Sequence, residues 1–143
     1  MANKNLIINS NWELDQKLVT LLMCTAQELA HDMTMNIKRF NLSLIQLQIL
    51  HVLSEAEGEV LTVNQIKKLM IDDSPNVSRS LNKLMENKYI VKKRNKKDQR
   101  IVQIKLTPLG RKIHIDADNE VIKTTVNLTD KEKEQLYQLL TKS

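Results

Sequence analysis

Helix-start signals recur so closely along this chain that they commit it to a set of short helices. Ser43 is followed by Gln46, Thr62 by Gln65 and Thr129 by Glu132. In each pair a hydroxyl caps a helix whose third residue reaches back to the capping backbone. Ser74 before Pro75, and Thr107 before Pro108, give a second kind of start, with proline at the first helical position. Only two Gly and two Pro occur in 143 residues, which leaves little room for an irregular, loop-rich fold. Aromatic residues make up 3% of the chain, so the core must be mostly Leu, Ile, Val and Met.

Apolar spacing fills in the elements. Leu14, Leu18, Leu21, Leu22, Thr25, Leu29 and Met33 form one stripe, which predicts a long helix over residues 11–39. Residues 44–55 are apolar nearly all round, as suits a helix at the centre of a domain. Val63, Ile66, Leu69 and Met70 give a short helix its inner face. A further helix over 75–87 turns Val77, Leu81, Leu84 and Met85 inward. Two short helices joined tightly make a helix-turn-helix candidate.

Residues 89–91 and 101–106 then read as strands around the polar tip 95–99, a β-hairpin wing. A helix follows from Thr107 and Pro108, carrying Ile113, Ile115, Ala117, Val121 and Ile122. Lys123, Thr124 and Thr125 weaken it, and a last helix carries Leu136, Leu139 and Leu140. The fold class is therefore mainly α with a small β-wing: a winged helix-turn-helix domain flanked by N- and C-terminal dimerisation helices. Residues 1–143 form one domain, with 41–110 as the winged core and 11–39 and 111–143 as the helical dimerisation region. Apolar stripes at both ends call for a partner surface, most simply a twofold homodimer.

Charge locates the expected site. Residues 87–112 hold ten Lys or Arg against the single acid Asp98, a local net charge of +9 in a chain whose total is +5. A basic block on an otherwise acidic chain points to a polyanion, although a solvated loop has the same composition. On the helix after Pro75, the face opposite Val77, Leu81 and Leu84 presents Arg79, Lys83, Glu86 and, at its edge, Asn82, with Asn76 and Ser78 near its start. Arg and Lys read guanine edges, Asn reads adenine and Ser contacts phosphate. Ser74 joins this set at the helix N-terminus, which attracts phosphate. The same face would also suit an ordinary amphipathic helix. The wing adds Arg94, Lys96, Lys97 and Arg100, and Arg suits a narrow, strongly negative minor groove. Asp98 either orients Arg100 or Arg94 by a charge-assisted hydrogen bond or simply forms the turn.

Residues 74–110 resemble the MarR family of winged helix-turn-helix transcriptional regulators. The resemblance rests on Ser78 and Arg79, Leu84, the Asp98-Gln99-Arg100 wing and the run Leu106-Thr107-Pro108-Leu109-Gly110. Lys88 stands where that family usually has Gly, Lys92 replaces a frequent Arg, and Gln99 replaces a common first Arg of the wing. The resemblance implies a homodimer joined by its first and last helices; the lone Cys24, the lack of a long apolar run and the N-terminus fit a cytoplasmic protein. It also implies binding to double-stranded DNA at a pseudo-palindromic operator, usually for repression. Many such regulators bind a small phenolic or other effector between the dimer helices and the DNA-binding lobes, and some sense oxidants through a cysteine in the first helix. The competing reading is a winged-helix protein-interaction module whose basic wing meets an acidic partner.

Other classes find less support. The sequence has no nucleophile elbow, phosphate loop or metal-ligand cluster, so neither an enzyme nor a cofactor is expected. Cys24 has no basic neighbour within a helical turn and reads as a packed structural thiol. His31, His51 and His114 lack ligand-like spacing, with His51 expected to be a satisfied core or interface histidine. The methionines read as core filler. No apolar run is long enough for a membrane span, and the N-terminus does not resemble a signal peptide.

Overall fold

The computed structural model describes residues 3–70 and 76–143. Helices α1 (Lys4–Ile8), α2 (Leu14–Asn36), α3 (Leu44–Glu55) and α4 (Val63–Leu69) precede α5 (Asn76–Glu86). A hairpin of β2 (Ile90–Arg94) and β3 (Val102–Leu106) leads to α6 (Pro108–Val121) and α7 (Asp130–Leu140). A short strand β1 (Val60–Thr62) completes an antiparallel sheet in the order β1-β3-β2.

The capping signals act as read. Both reciprocal bonds of the box are present at Ser43 with Gln46, Thr62 with Gln65 and Thr129 with Glu132. Thr107 accepts a hydrogen bond from the Gly110 amide, with Pro108 beginning α6. The expected cap at Ser74 and Pro75 lies outside the described residues.

The long first helix is shorter than the stripe suggested. It begins at Leu14, after an extended Glu13, and ends at Asn36. Ile37, fully buried, anchors the break, and a 3₁₀ turn (Lys38–Phe40) leads to Asn41 in the left-handed region at φ 54°. Asn tolerates that conformation because its short polar side chain bonds locally. Ahead of α2, the unforeseen α1 folds back on it, burying Ile7 and pairing Lys4 with Glu28.

One core runs through the winged region. Ile49, Leu50 and Leu53 of α3 are fully buried, together with Ile66, Val77, Leu84 and Ile104. Helix α3 contacts α4, α5, α6 and β3, which is why it is apolar nearly all round. Leu69 departs from expectation and is exposed, because the short α4 turns only Val63 and Ile66 inward, with Met70 buried just past its end. Ile115 and Ile122 of the α6 region are exposed too, as are Leu14, Leu18, Leu22, Leu139 and Leu140. The core covers α6 only at Gly110, His114 and Ala117, and partly at Ile113 and Val121.

Strand β1 was not foreseen. Gly58 and Glu59 both take positive φ, 68° and 56°, and this turn sends residues 60–62 alongside β3, pairing Val60 with Lys105. Arg111 clamps Glu59 with both carboxylate oxygens in reach at 2.8 Å, tying the turn to the start of α6. Among the described residues no helix is long and apolar enough to cross a membrane.

Candidate nucleic-acid interface

Helix α5 owes its orientation to its inner face. Val77, Leu81 and Leu84 are buried at helical spacing against α3 and β2, and Ser80 is buried beside them. Asn76, Ser78, Arg79, Asn82 and Lys83 are consequently all exposed. Arg79 and Lys83 make no ion pair among the described residues. Ser74 lies outside the described residues.

The end of α5 is closed by backbone bonds in a Schellman arrangement. The Lys88 amide donates to the Met85 carbonyl and the Tyr89 amide to the Leu84 carbonyl, both at 3.0 Å. Lys88 therefore occupies the left-handed position, φ 62°, where glycine is the usual residue. The next carbonyl, Tyr89 O, accepts the Thr107 amide at 3.1 Å, while the Thr107 hydroxyl donates chiefly to Lys88 O at 2.7 Å and lies 3.0 Å from Tyr89 O. Gly110 sits so close that a Cβ there would lie 2.0 Å from the same oxygen. The Leu106-to-Gly110 run thus clasps α6 onto the junction of α5 and β2.

The wing follows directly. Its strands keep register from Ile90 opposite Leu106 to Arg94 opposite Val102. At the tip, the Asn95 side chain accepts from the amides of Lys97 (2.8 Å) and Asp98 (3.3 Å). Asp98 accepts the Arg100 amide on its carboxylate at 3.0 Å and the Ile101 amide on its carbonyl at 3.1 Å. Asp98 is thus a turn-former, and it makes no side-chain bond to the guanidinium of Arg100 or Arg94. The acid at this position satisfies loop amides whose orientation sequence spacing does not reveal. Arg94 donates to the Gln99 carbonyl at 2.8 Å. Lys96, Lys97 and Arg100 are exposed and make no ion pair among the described residues. Of the ten basic residues in 87–112, Arg111 alone is neutralised by an acid among the described residues.

Away from this surface, His51 and His114 meet across α3 and α6, with Nδ1 and Nε2 3.3 Å apart. Their 63-residue separation hid the pair from sequence reading. Burial lowers the pKa of His114 below the ordinary histidine value; nearby Asp118 and Glu55 oppose this and His51 adds to it. A hollow of about 240 Å³ beside His51 is lined by Met33, Leu44, Leu47, Gln48, Asp118 and Val121. No group of three or more potential metal ligands converges among the described residues. Cys24 is buried, as a packed thiol should be.

Comparison with known proteins agrees with this architecture. Residues 32–117 match the family model described as "Transcriptional regulator SarA/Rot". Over 71 residues the chain is 34% identical to the HTH-type transcriptional regulator SarU of Staphylococcus aureus; this covers 50% of the chain but only 29% of SarU. Among solved structures, a mutant MarR of E. coli complexed with operator DNA has a TM-score of 0.75 at 23% identity, covering 92% of this chain and 98% of its own. BpsR of Bordetella bronchiseptica, whose DNA binding is regulated by 6-hydroxynicotinic acid, also has a TM-score of 0.75, at 20% identity over 93% of this chain and 96% of its own. The fold is that of the MarR regulators, as the wing and the Leu106-to-Gly110 run implied. With the family model spanning more than half its length, the chain belongs to the SarA/Rot family of transcriptional regulators.

Proposed function

We propose that this regulator binds double-stranded DNA as a homodimer at a pseudo-palindromic operator and acts as a repressor. The observation that carries the reading is the uncommitted charge of two adjoining elements. Arg79 and Lys83 on α5, and Lys96, Lys97 and Arg100 on the wing, are exposed without an ion-pair partner among the described residues. A helix with Asn76, Ser78, Arg79, Asn82 and Lys83 outward suits a major groove. A basic hairpin tip suits the neighbouring minor groove. A protein-interaction module, the alternative, has no use for both surfaces together.

The division of labour follows the chain: residues 41–110 as the DNA-binding core, and 11–39 with 111–143 as the dimer region. Exposed Leu14, Leu18 and Leu22 on α2, with Leu139 and Leu140 on α7, supply apolar surface for a second copy. The hollow beside His51 offers an apolar lining with Gln48 and Asp118 as polar groups, suited to a small aromatic effector that releases the DNA.

Fluorescence anisotropy with genomic fragments at several salt concentrations tests the reading. Selected fragments should bind far more tightly than bulk DNA and lose affinity steeply as salt rises. Arg100→Ala should weaken binding at least about tenfold, or about 1.4 kcal/mol. Equal binding of all fragments would leave the protein-interaction alternative standing.

A further inference from the structure

The wing uses one of its cations on itself. Arg94 closes β2, opposite Val102, and its guanidinium reaches forward to the carbonyl of Gln99 at 2.8 Å. That bond spans the base of the tip. Every other bond of the tip is equally local: Asn95 holds the amides of Lys97 and Asp98, and Asp98 holds those of Arg100 and Ile101. The Asn95 amide donates to the Ile101 carbonyl at 3.0 Å, closing the ring. The side chains left over are Lys96, Lys97, Gln99 and Arg100, all exposed.

We propose that Arg94 is a positioning residue that presets the wing, and that Arg100 is the side chain it positions. The inference rests on the DNA-binding reading for its effect on affinity. The Gln99 carbonyl lies one residue before Arg100, so the latch fixes the peptide from which the Arg100 side chain projects. Asp98 fixes the same peptide from its N–H side. A tip ordered before binding avoids the ordering cost that a loose loop would meet on the DNA. Because the acceptor is a backbone oxygen, the latch does not depend on which side chain stands at position 99. A planar guanidinium suits this reach, since its donors are held in a fixed fork.

Two measurements on Arg94→Ala test the proposal. In DNA-free protein, water-exchange NMR should show the Arg100 and Ile101 amides exchanging several-fold faster than in the unsubstituted chain. A hydrogen bond contributes roughly a several-fold to tenfold bias to an ordering equilibrium, which sets that scale. In DNA binding, Arg94→Ala should lose about tenfold in affinity alone, but less than about twofold when Arg100→Ala is already present. Lys96→Ala, removing a free cation, should instead add its loss to that of Arg100→Ala. Unchanged amide exchange, or losses at Arg94 and Arg100 that add in full, would overturn the latch and make Arg94 a direct contact. If the unsubstituted protein binds no DNA, the functional reading fails, and the exchange measurement still decides the latch.

Discussion

Gly110→Ala is the sharpest test of how the proposed DNA-binding surface is held together. The added Cβ would lie 2.0 Å from the Tyr89 carbonyl oxygen and 2.9 Å from Leu106 Cδ1. An ordinary contact needs roughly 1.5 Å more than the first of these, and the obstacle is backbone, which cannot swing aside. Moving it strains or breaks the bond to Tyr89 O from the Thr107 amide, whereas the Thr107 hydroxyl keeps its shorter bond to Lys88 O at 2.7 Å. The amide bond contributes about 1 kcal/mol, and overpacking adds about 1–3 kcal/mol. Against this, alanine favours a helix over glycine by about 1 kcal/mol. The net loss should be about 1–3 kcal/mol. Gly58→Ala is the natural comparison, since a Cβ there would meet no atom within 4 Å and only the φ of 68° resists it. That substitution should cost about 1 kcal/mol. Urea denaturation at a fixed protein concentration would measure both, holding any association constant. Gly110→Ala should also weaken DNA binding, because Tyr89 joins α5 to the wing. A Gly110→Ala protein as stable as the original, or less affected than Gly58→Ala, would refute the clasp.

Lys88→Gly should stabilise the chain by about 0.5–1 kcal/mol, since φ 62° strains lysine but not glycine, part of the gain being offset by glycine's greater freedom when unfolded; the urea midpoint reads this directly. The lowered pKa of His114 means the unfolded chain binds more protons than the folded one just below pH about 6.5. Its contribution to stability is therefore complete above that pH and is lost as pH falls towards the folded value; His114→Gln should flatten this part of the stability profile. Glu120, held low by its hydrogen bond to Lys123, acts in the separate, more acidic carboxylate range. Removing residues 129–143, and with them α7, should shift sedimentation from dimer towards monomer; an unaltered dimer would remove α7 from the interface.

What the sequence disclosed was local chemistry. The boxes at Ser43, Thr62 and Thr129 depend on residues three apart, so each helix start could be read directly. The buried face of α5 was equally legible, because Val77, Leu81 and Leu84 repeat at helical spacing. Features that depend on distant partners were not. Strand β1 is three residues long and exists because β3 lies beside it. The His51–His114 pair needs α3 packed on α6 before it means anything. At the wing, sequence supplied the cations and offered turn formation as one of two roles for Asp98, which the structure takes up, but not the commitment of Arg94 to a backbone carbonyl. Lys88 shows the converse, a residue other than glycine that still adopts the left-handed turn because the surrounding bonds require it.

The central claim, sequence-specific DNA binding by a symmetric dimer, is tested most directly by selecting bound duplexes from a random-sequence pool. A symmetric dimer should enrich an inverted repeat, place two protomers on each site, and bind it at least about a thousandfold more tightly than unselected DNA at physiological salt. A pool that stays unenriched, with all duplexes bound equally, would contradict the claim.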